Sequence, residues 1–206
     1  MKTKLSLIFS LFLCIAFSAV AADSAADVLN KAAAKFRAAK SVEANFTLTS
    51  SAQAGLIKGT ILMSGQKFRI TAPQYVSWYD GSTQWVLNVP DKEVTVSTPT
   101  PQELQMINPV MVLNMFSKQY TPTLLKSPRT QRVLRLSAKQ KNADIRQAVV
   151  TLDAITLLPL TITLTAANGT TVTVKLAGIK IGNALADSYF RFSPKANPGV
   201  DVIDLR

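Results

Sequence analysis

Hydrophobic positions along the chain follow two spacings, and the change from one to the other comes early. Ser24 can cap a helix, Asp27 stands at its third position, and Leu29, Ala32, Phe36 and Ala39 recur at helical intervals. From Ser41 onward strand-type patterns dominate, at residues 60–63, 68–71, 75–79, 83–89 and 94–97. Strands this closely spaced predict an antiparallel meander, onto which the apolar stripe of the first helix must pack.

Parity sharpens the meander. A two-residue turn within Asp80-Gly81-Ser82 places Val76 and Trp78 on the same face as Trp85 and Leu87. The next turn, around Pro90-Asp91, pairs Leu87 with Val94 and Trp85 with Val96, so one face of three consecutive strands is apolar throughout. Farther on, Leu160, Ile162 and Leu164 alternate with threonines, as do Val172 and Val174 beyond Asn168-Gly169. A two-residue Asn-Gly turn would set Leu164 opposite Thr173 and mix the faces. A three-residue loop, Ala167-Asn168-Gly169, pairs Leu164 with Val172 and Ile162 with Val174, which predicts a type I turn with Gly169 in the left-handed bulge position.

The segment between these regions is different. Thr100-Pro101-Gln102-Glu103 reads as N-cap, N1 proline and capping-box glutamate, and Asn108-Pro109 repeats the start signal. Residues 110–116 are apolar nearly all round except for Asn114, so this second short helix calls for burial or a ligand. Three of the chain's five methionines, Met106, Met111 and Met115, lie here, and methionine adapts its shape to irregular apolar partners. Residues 106–116 are therefore expected to form a mobile cover.

Residues 1–22 have the form of a secretory signal peptide: Lys2 and Lys4, an uncharged apolar run, then the small residues Ala19, Ala21 and Ala22. Leu13 directly before Cys14 is bulkier than a lipoprotein signal places there, so Cys14 is expected to leave with the leader. Residues 23–206 then form a single exported domain. Without the first 22 residues the chain has neither cysteine nor histidine, so disulfides, Ser-His-Asp and Cys-His catalysis, the usual zinc ligand sets and thiol redox chemistry are all excluded. No phosphate loop or nucleophile elbow is present. The carboxylates Asp80, Asp91 and Glu93 are close enough in sequence to consider as an acid/base pair, but each stands in a turn context where backbone bonding is ordinary. The expectation is a protein that is not an enzyme and needs no cofactor.

Charge narrows the partners. The formal net charge is +11, and without the leader lysines it is +9, from 21 basic and 12 acidic residues. Outside the cytoplasm, the abundant anionic partners are phospholipid head groups, which predicts transient contact with an anionic membrane surface. The basic residues form no recognition motif for nucleic acid, which is not expected as a partner. A monomer is expected.

The run Tyr79-Asp80-Gly81-Ser82-Thr83-Gln84-Trp85, the strand end Leu87-Asn88-Val89-Pro90, and Phe190-Arg191-Phe192 followed by Pro198-Gly199-Val200-Asp201-Val202 resemble the periplasmic outer-membrane lipoprotein carrier family, the LolA-like proteins. The resemblance runs over most of the chain beyond the leader. It implies a mainly β fold with short helices, an unclosed antiparallel β-barrel (half-barrel) whose apolar concave face is covered by helices. It also implies a carrier that takes acylated lipoproteins from an inner-membrane lipoprotein-releasing transporter, shields their acyl chains and passes them to an outer-membrane acceptor. By that fold and by parity, the expected lipid-binding lining is Phe46, Leu48, Ile61, Met63, Phe68, Ile70, Trp78, Trp85, Leu87, Val94 and Val96, with Met106, Met111 and Met115 on the cover. One departure stands out: where family members hold the lid with an arginine, this chain has Met63-Ser64-Gly65, leaving Lys67 or Arg69 as substitutes. The alternative function is an envelope sensor or lipid-binding interaction module that uses the same half-barrel without ferrying cargo.

Overall fold

The computed structural model describes residues 23–100, 103–104 and 119–206. Helix α1 (Ala25–Ala38) starts as its sequence dictates: Ser24 Oγ accepts from the Asp27 amide at 3.1 Å, and the Ser24 amide donates to the Asp27 carboxylate at 3.2 Å. It ends where Ala39 turns extended, and it buries Val28, Leu29, Ala32, Ala33 and Phe36 along one side.

Twelve strands follow in one sheet: β1 (Ser41–Ser50), β2 (Gln53–Ser64), β3 (Lys67–Thr71), β4 (Tyr75–Tyr79), β5 (Gln84–Asn88), β6 (Glu93–Ser97), β7 (Tyr120–Leu125), β8 (Gln131–Ala138), β9 (Ile145–Asp153), β10 (Pro159–Ala166), β11 (Thr171–Gly182) and β12 (Asp201–Asp204). Their order is β12-β6-β5-β4-β3-β2-β1-β11-β10-β9-β8-β7, antiparallel except for β12 beside β6. Two meanders, β1 to β6 and β7 to β11, are joined by the pairing of β1 with β11. The outermost strands β12 and β7 do not pair with each other, so the barrel is unclosed. A single apolar cluster nevertheless holds α1 together with residues from β1 to β4 and from β7 to β11, so the sheet bends around the helix.

The hairpins have the expected registers. Trp78 faces Trp85, Val76 faces Leu87, and Leu87 and Trp85 face Val94 and Val96. Leu164 faces Val172 and Ile162 faces Val174. In that loop the Gly169 amide donates to the Ala166 carbonyl at 3.0 Å, the Ala166 amide donates to Thr170 at 2.8 Å, and Gly169 has φ +84°, which glycine adopts without steric cost.

Registers also show which face each strand turns to α1. Phe68 pairs with Tyr79 and Ile70 with Ser77, so the inner, helix-facing side of β4 carries Tyr79 and Ser77 while Trp78 points outward. The apolar side of the sheet therefore changes between β3 and β4. On β4 to β6 the inner face becomes partly polar, with Gln84 Nε2 donating to Ser77 Oγ at 3.1 Å in a buried pair. The outer face there is apolar, and the C-terminal segment covers part of it: Phe192 and Val200 pack with Trp78, Leu87 and Val94, with the Phe192 and Trp78 rings edge to face at 5.6 Å. Two ion pairs clasp the same segment, Arg191 to Asp80 at 2.9 Å and Lys67 to Asp187 at 2.5 Å.

Two outcomes follow from this clasp. Replacing buried Phe192 by alanine should lower unfolding free energy by about 3–5 kcal/mol and shift tryptophan emission to the red as Trp78 gains water, both readable in one thermal melt followed by fluorescence. Acid should loosen the segment too. Burial raises the Asp80 carboxyl, but the amides of Thr83 and Ser82 and the Arg191 guanidinium outweigh it and hold the group below its ordinary value; Asp187 is lowered by its bond to Lys67. A depressed folded-state value gives stability that is complete above about pH 4 and is lost as pH falls through that value. Proteolysis at residues 183–206 should therefore accelerate below about pH 4, and Asp80→Asn should show that faster cleavage already at pH 7.

Candidate functional site

The inner face is organised by cross-strand rows. One row runs Leu124, Leu134, Val150, Ile162, Val174, Leu48 and Ile57 across β7, β8, β9, β10, β11, β1 and β2, each residue paired with the next. Leu134, Val150 and Ile162 at its centre are fully buried, while Leu124 and Ile57 at its ends are 42% and 36% exposed. A neighbouring row, Leu136, Ala148, Leu164 and Val172, ends at Ser50, and here Leu164 and Val172 are only half-buried. An apolar inner surface thus passes from a filled centre under α1 to an open rim near the β1–β2 hairpin.

At that rim lies a cavity of about 300 Å³, bordered by Leu48, Ile57, Ala72 and Tyr75, with Ser50 and Lys58 supplying polar edges. Gly59 follows the bordering Lys58 on β2. Phe46 lies across this glycine, and a Cβ there would stand 2.6 Å from the Phe46 ring and 2.3 Å from the Thr71 carbonyl oxygen, so a larger residue would push the ring out of the inner face. Burial pushes the Tyr75 hydroxyl up, so it stays neutral at physiological pH. The rim offers apolar contact with a few polar anchors.

Of the expected lining, Phe46, Leu48, Ile61, Met63, Phe68 and Ile70 share the inner core around α1. Trp78, Trp85, Leu87, Val94 and Val96 form their own apolar face, but on the outer side, where Trp78, Leu87 and Val94 lie under the C-terminal segment. The structure corrects the expectation that both groups line one groove. The signal that separates them is the Pro73-Gln74 turn: the Ala72 amide donates to the Tyr75 carbonyl at 2.9 Å, and a two-residue turn there puts even positions of β3 beside odd positions of β4. Met106, Met111 and Met115 lie outside the described residues. The ends of their segment are anchored inward: Glu103 caps with Thr100, Leu104 is buried in the inner core, and Tyr120 is buried there with its hydroxyl donating to the Ile145 carbonyl at 2.8 Å. The residues missed from sequence are Ile57, Tyr75, Leu164 and Val172; the alternation of Leu164 and Val172 was visible, but only the pairing of β1 with β11 places it beside Leu48.

Neither proposed arginine substitute reaches this face. Lys67 and Arg69 both lie on the outer side, Lys67 held by Asp187 and Arg69 with its guanidinium 5.7 Å from the Trp78 ring centre, its Nε buried without a hydrogen-bond partner among the described residues. The carboxylates considered for acid/base work are separated as well. Asp80 accepts from Ser82, Thr83 and Arg191 at one end of β5, while Asp91 accepts from Asn88 at the other.

Among solved structures, an uncharacterized conserved protein from Thermus thermophilus is similar at TM-score 0.56 and 9% identity, covering 85% of this chain and 96% of its own. A DUF1329 family protein from Desulfovibrio piger is similar at TM-score 0.49 and 11% identity, covering 84% and 97%. A LolA superfamily protein from Nitrosomonas europaea gives TM-score 0.43 and 14% identity, covering 83% and 99%. No curated protein matches the chain. The family described as outer membrane lipoprotein carrier protein LolA matches over residues 15–184, most of the chain and all of the inner-face rows, and the chain belongs to that family.

Proposed function

We propose that the protein is a periplasmic carrier without enzymatic activity, which holds the acyl chains of lipoproteins against its inner face and moves them from the inner to the outer membrane. The observation that supports this most directly is the apolar row from Leu124 to Ile57, filled at its centre and open at its rim. Each methylene moved from water to such a surface is worth about 0.8 kcal/mol. A cavity of about 300 Å³ is at the small end for even an ordinary ligand, so cargo with two or three acyl chains requires the interior to open. Opening at the rim, where Leu48, Leu164 and Val172 are already half-exposed, disturbs least packing.

Leu48→Asp and Val172→Asp should each weaken binding of a triacylated lipopeptide by about 2 kcal/mol, the worth of two or three methylene contacts. Thr49→Asp, on the exposed outer face next to Leu48, should leave it unchanged. Isothermal titration with the folded variants checks both, and equal affinities throughout would remove the inner face as the site. Carriage is read separately. Depleting the protein should leave newly made lipoproteins in the inner-membrane fraction, whereas unaltered fractionation with lipopeptide binding intact would favour the sensor alternative.

A further inference from the structure

We propose that the rim formed by the β7–β8 and β9–β10 turns is a docking surface for anionic phospholipid bilayers, with Ile155 as the side chain that enters the head-group layer. Ile155 is 89% exposed, the most of any large apolar residue described. It is not on a loose loop. Asp153 Oδ1 accepts from the Ile155 amide at 3.1 Å, the Thr156 amide at 2.7 Å and the Thr156 hydroxyl at 2.9 Å; the Leu157 amide donates to the Asp153 carbonyl at 3.0 Å, and the Asp153 amide to the Leu158 carbonyl at 2.9 Å. Leu157 takes φ +56° to complete the turn, an unfavourable conformation for a leucine, while its side chain packs on the inner core. The outcome is a rigid turn that presents one apolar side chain to solvent.

Its surroundings are cationic. The Ala154 amide donates to the Thr130 carbonyl at 3.0 Å, and Gln131 and Arg132 pair with Asp153 and Leu152, which ties the Ile155 turn to the β7–β8 turn. Lys126, Arg129 and Arg132 are exposed on or beside that second turn. Lys35 of α1 donates to the Thr156 carbonyl and brings a fourth cation. Asp153 is the one carboxylate in this group, and its bonds to Thr156 keep it below its ordinary value and therefore charged, so the group carries a net +3.

The opposite edge of the sheet makes the contrast. Val202, Ile203 and Leu205 are also exposed there, but the four acids Asp91, Glu93, Asp201 and Asp204 stand among them against two cations, Lys92 and the Asp204-bound Arg206, a side-chain net of −2 that would repel anionic head groups. Of the two apolar edges, charge complementarity selects the Ile155 rim for the membrane. A carrier that moves lipoproteins from one membrane to another works at both membrane surfaces, so the proposal rests on the carrier reading for its purpose, while its measurement is independent of acyl binding.

In a Cys14→Ser background, Ile155→Cys and Val202→Cys carry an environment-sensitive fluorophore, and vesicles of phosphatidylglycerol and phosphatidylethanolamine are compared with vesicles of phosphatidylcholine. The probe at position 155 should brighten and shift to the blue with the anionic vesicles alone, less so as salt rises, and the probe at position 202 should not respond. Ile155→Asp, and Lys126→Glu with Arg129→Glu, should each weaken co-flotation about tenfold or more, with Lys195→Glu as the control. Lipopeptide affinity should be the same in all of them. Equal responses from both probes, equal binding to neutral vesicles, no binding to either vesicle, or undiminished flotation of the variants would each overturn the proposal; lost lipopeptide affinity at Leu48 alone bears on the carrier reading instead.

Discussion

The pairing of β1 with β11 is the contact on which the rest of the molecule depends. It joins strands about 130 residues apart, and with it Leu48 comes into line with Val174 and hence with Ile162, Val150 and Leu134. Without it there would be two separate meanders, and the apolar cluster that now runs from β1 to β3 and on through β11 to β8 around α1 would be divided. The pairing is not regular throughout: its register shifts between Glu43 and Asn45, opposite a stretch where Gly178 takes φ +61°. Such an irregularity increases local twist, which a sheet needs if it is to curve around a helix. Because the contact is so distant in sequence, it carries a large loop-closure cost, and a topology dominated by such pairings folds slowly.

Local chemistry was legible in the sequence, and long-range geometry was not. The Ser24 capping box, the facing of Trp78 and Trp85, and the three-residue Ala167-Asn168-Gly169 loop all depend on residues within a few positions of one another, and periodicity with turn chemistry sufficed for each. The half-barrel and the family were legible through resemblance. Assigning the two tryptophans to the inner face failed for a specific reason: alternation tells which residues share a side of a strand, and the Pro73-Gln74 turn decides how that side continues into the next. The parallel addition of β12 and the packing of Phe192 on Trp78 carried no local signature, since a strand with apolar residues on one side reads the same whether a helix or a C-terminal segment covers it.

The change of apolar side between β3 and β4 divides labour across one continuous sheet. On β4 to β6 the inner face carries Ser77 and Gln84, bonded to each other, and the outer face is closed by a clasp of two ion pairs and the buried Phe192. This end is satisfied by its own chain. On β1, β2, β10 and β11 the inner face is left half open at Leu48, Leu164 and Val172, with no comparable segment among the described residues packed over its rim. Lys67 and Arg69, the cations nearest the expected latch, belong to the closed end and to its outer side, so a latch of the inner face through them would require them to cross the sheet.

On the carrier reading, that uneven closure answers the thermodynamic demand on reversible transport. A cargo chain in a fully preformed apolar tunnel would release about 0.8 kcal/mol for every methylene and would leave too slowly to be passed on. A protein whose interior is already filled at its centre, as by Phe36, Phe46 and Phe68 here, must displace packing to admit the same chain, and the lost contacts offset much of the gain. The net affinity then depends on the difference between two apolar fillings rather than on the whole transfer from water. Such a difference can be reversed by a partner offering a modestly better apolar surface, with no nucleotide, metal or covalent step, and it is also the kind of exchange for which a chain without cysteine or histidine after residue 22 has all the necessary groups.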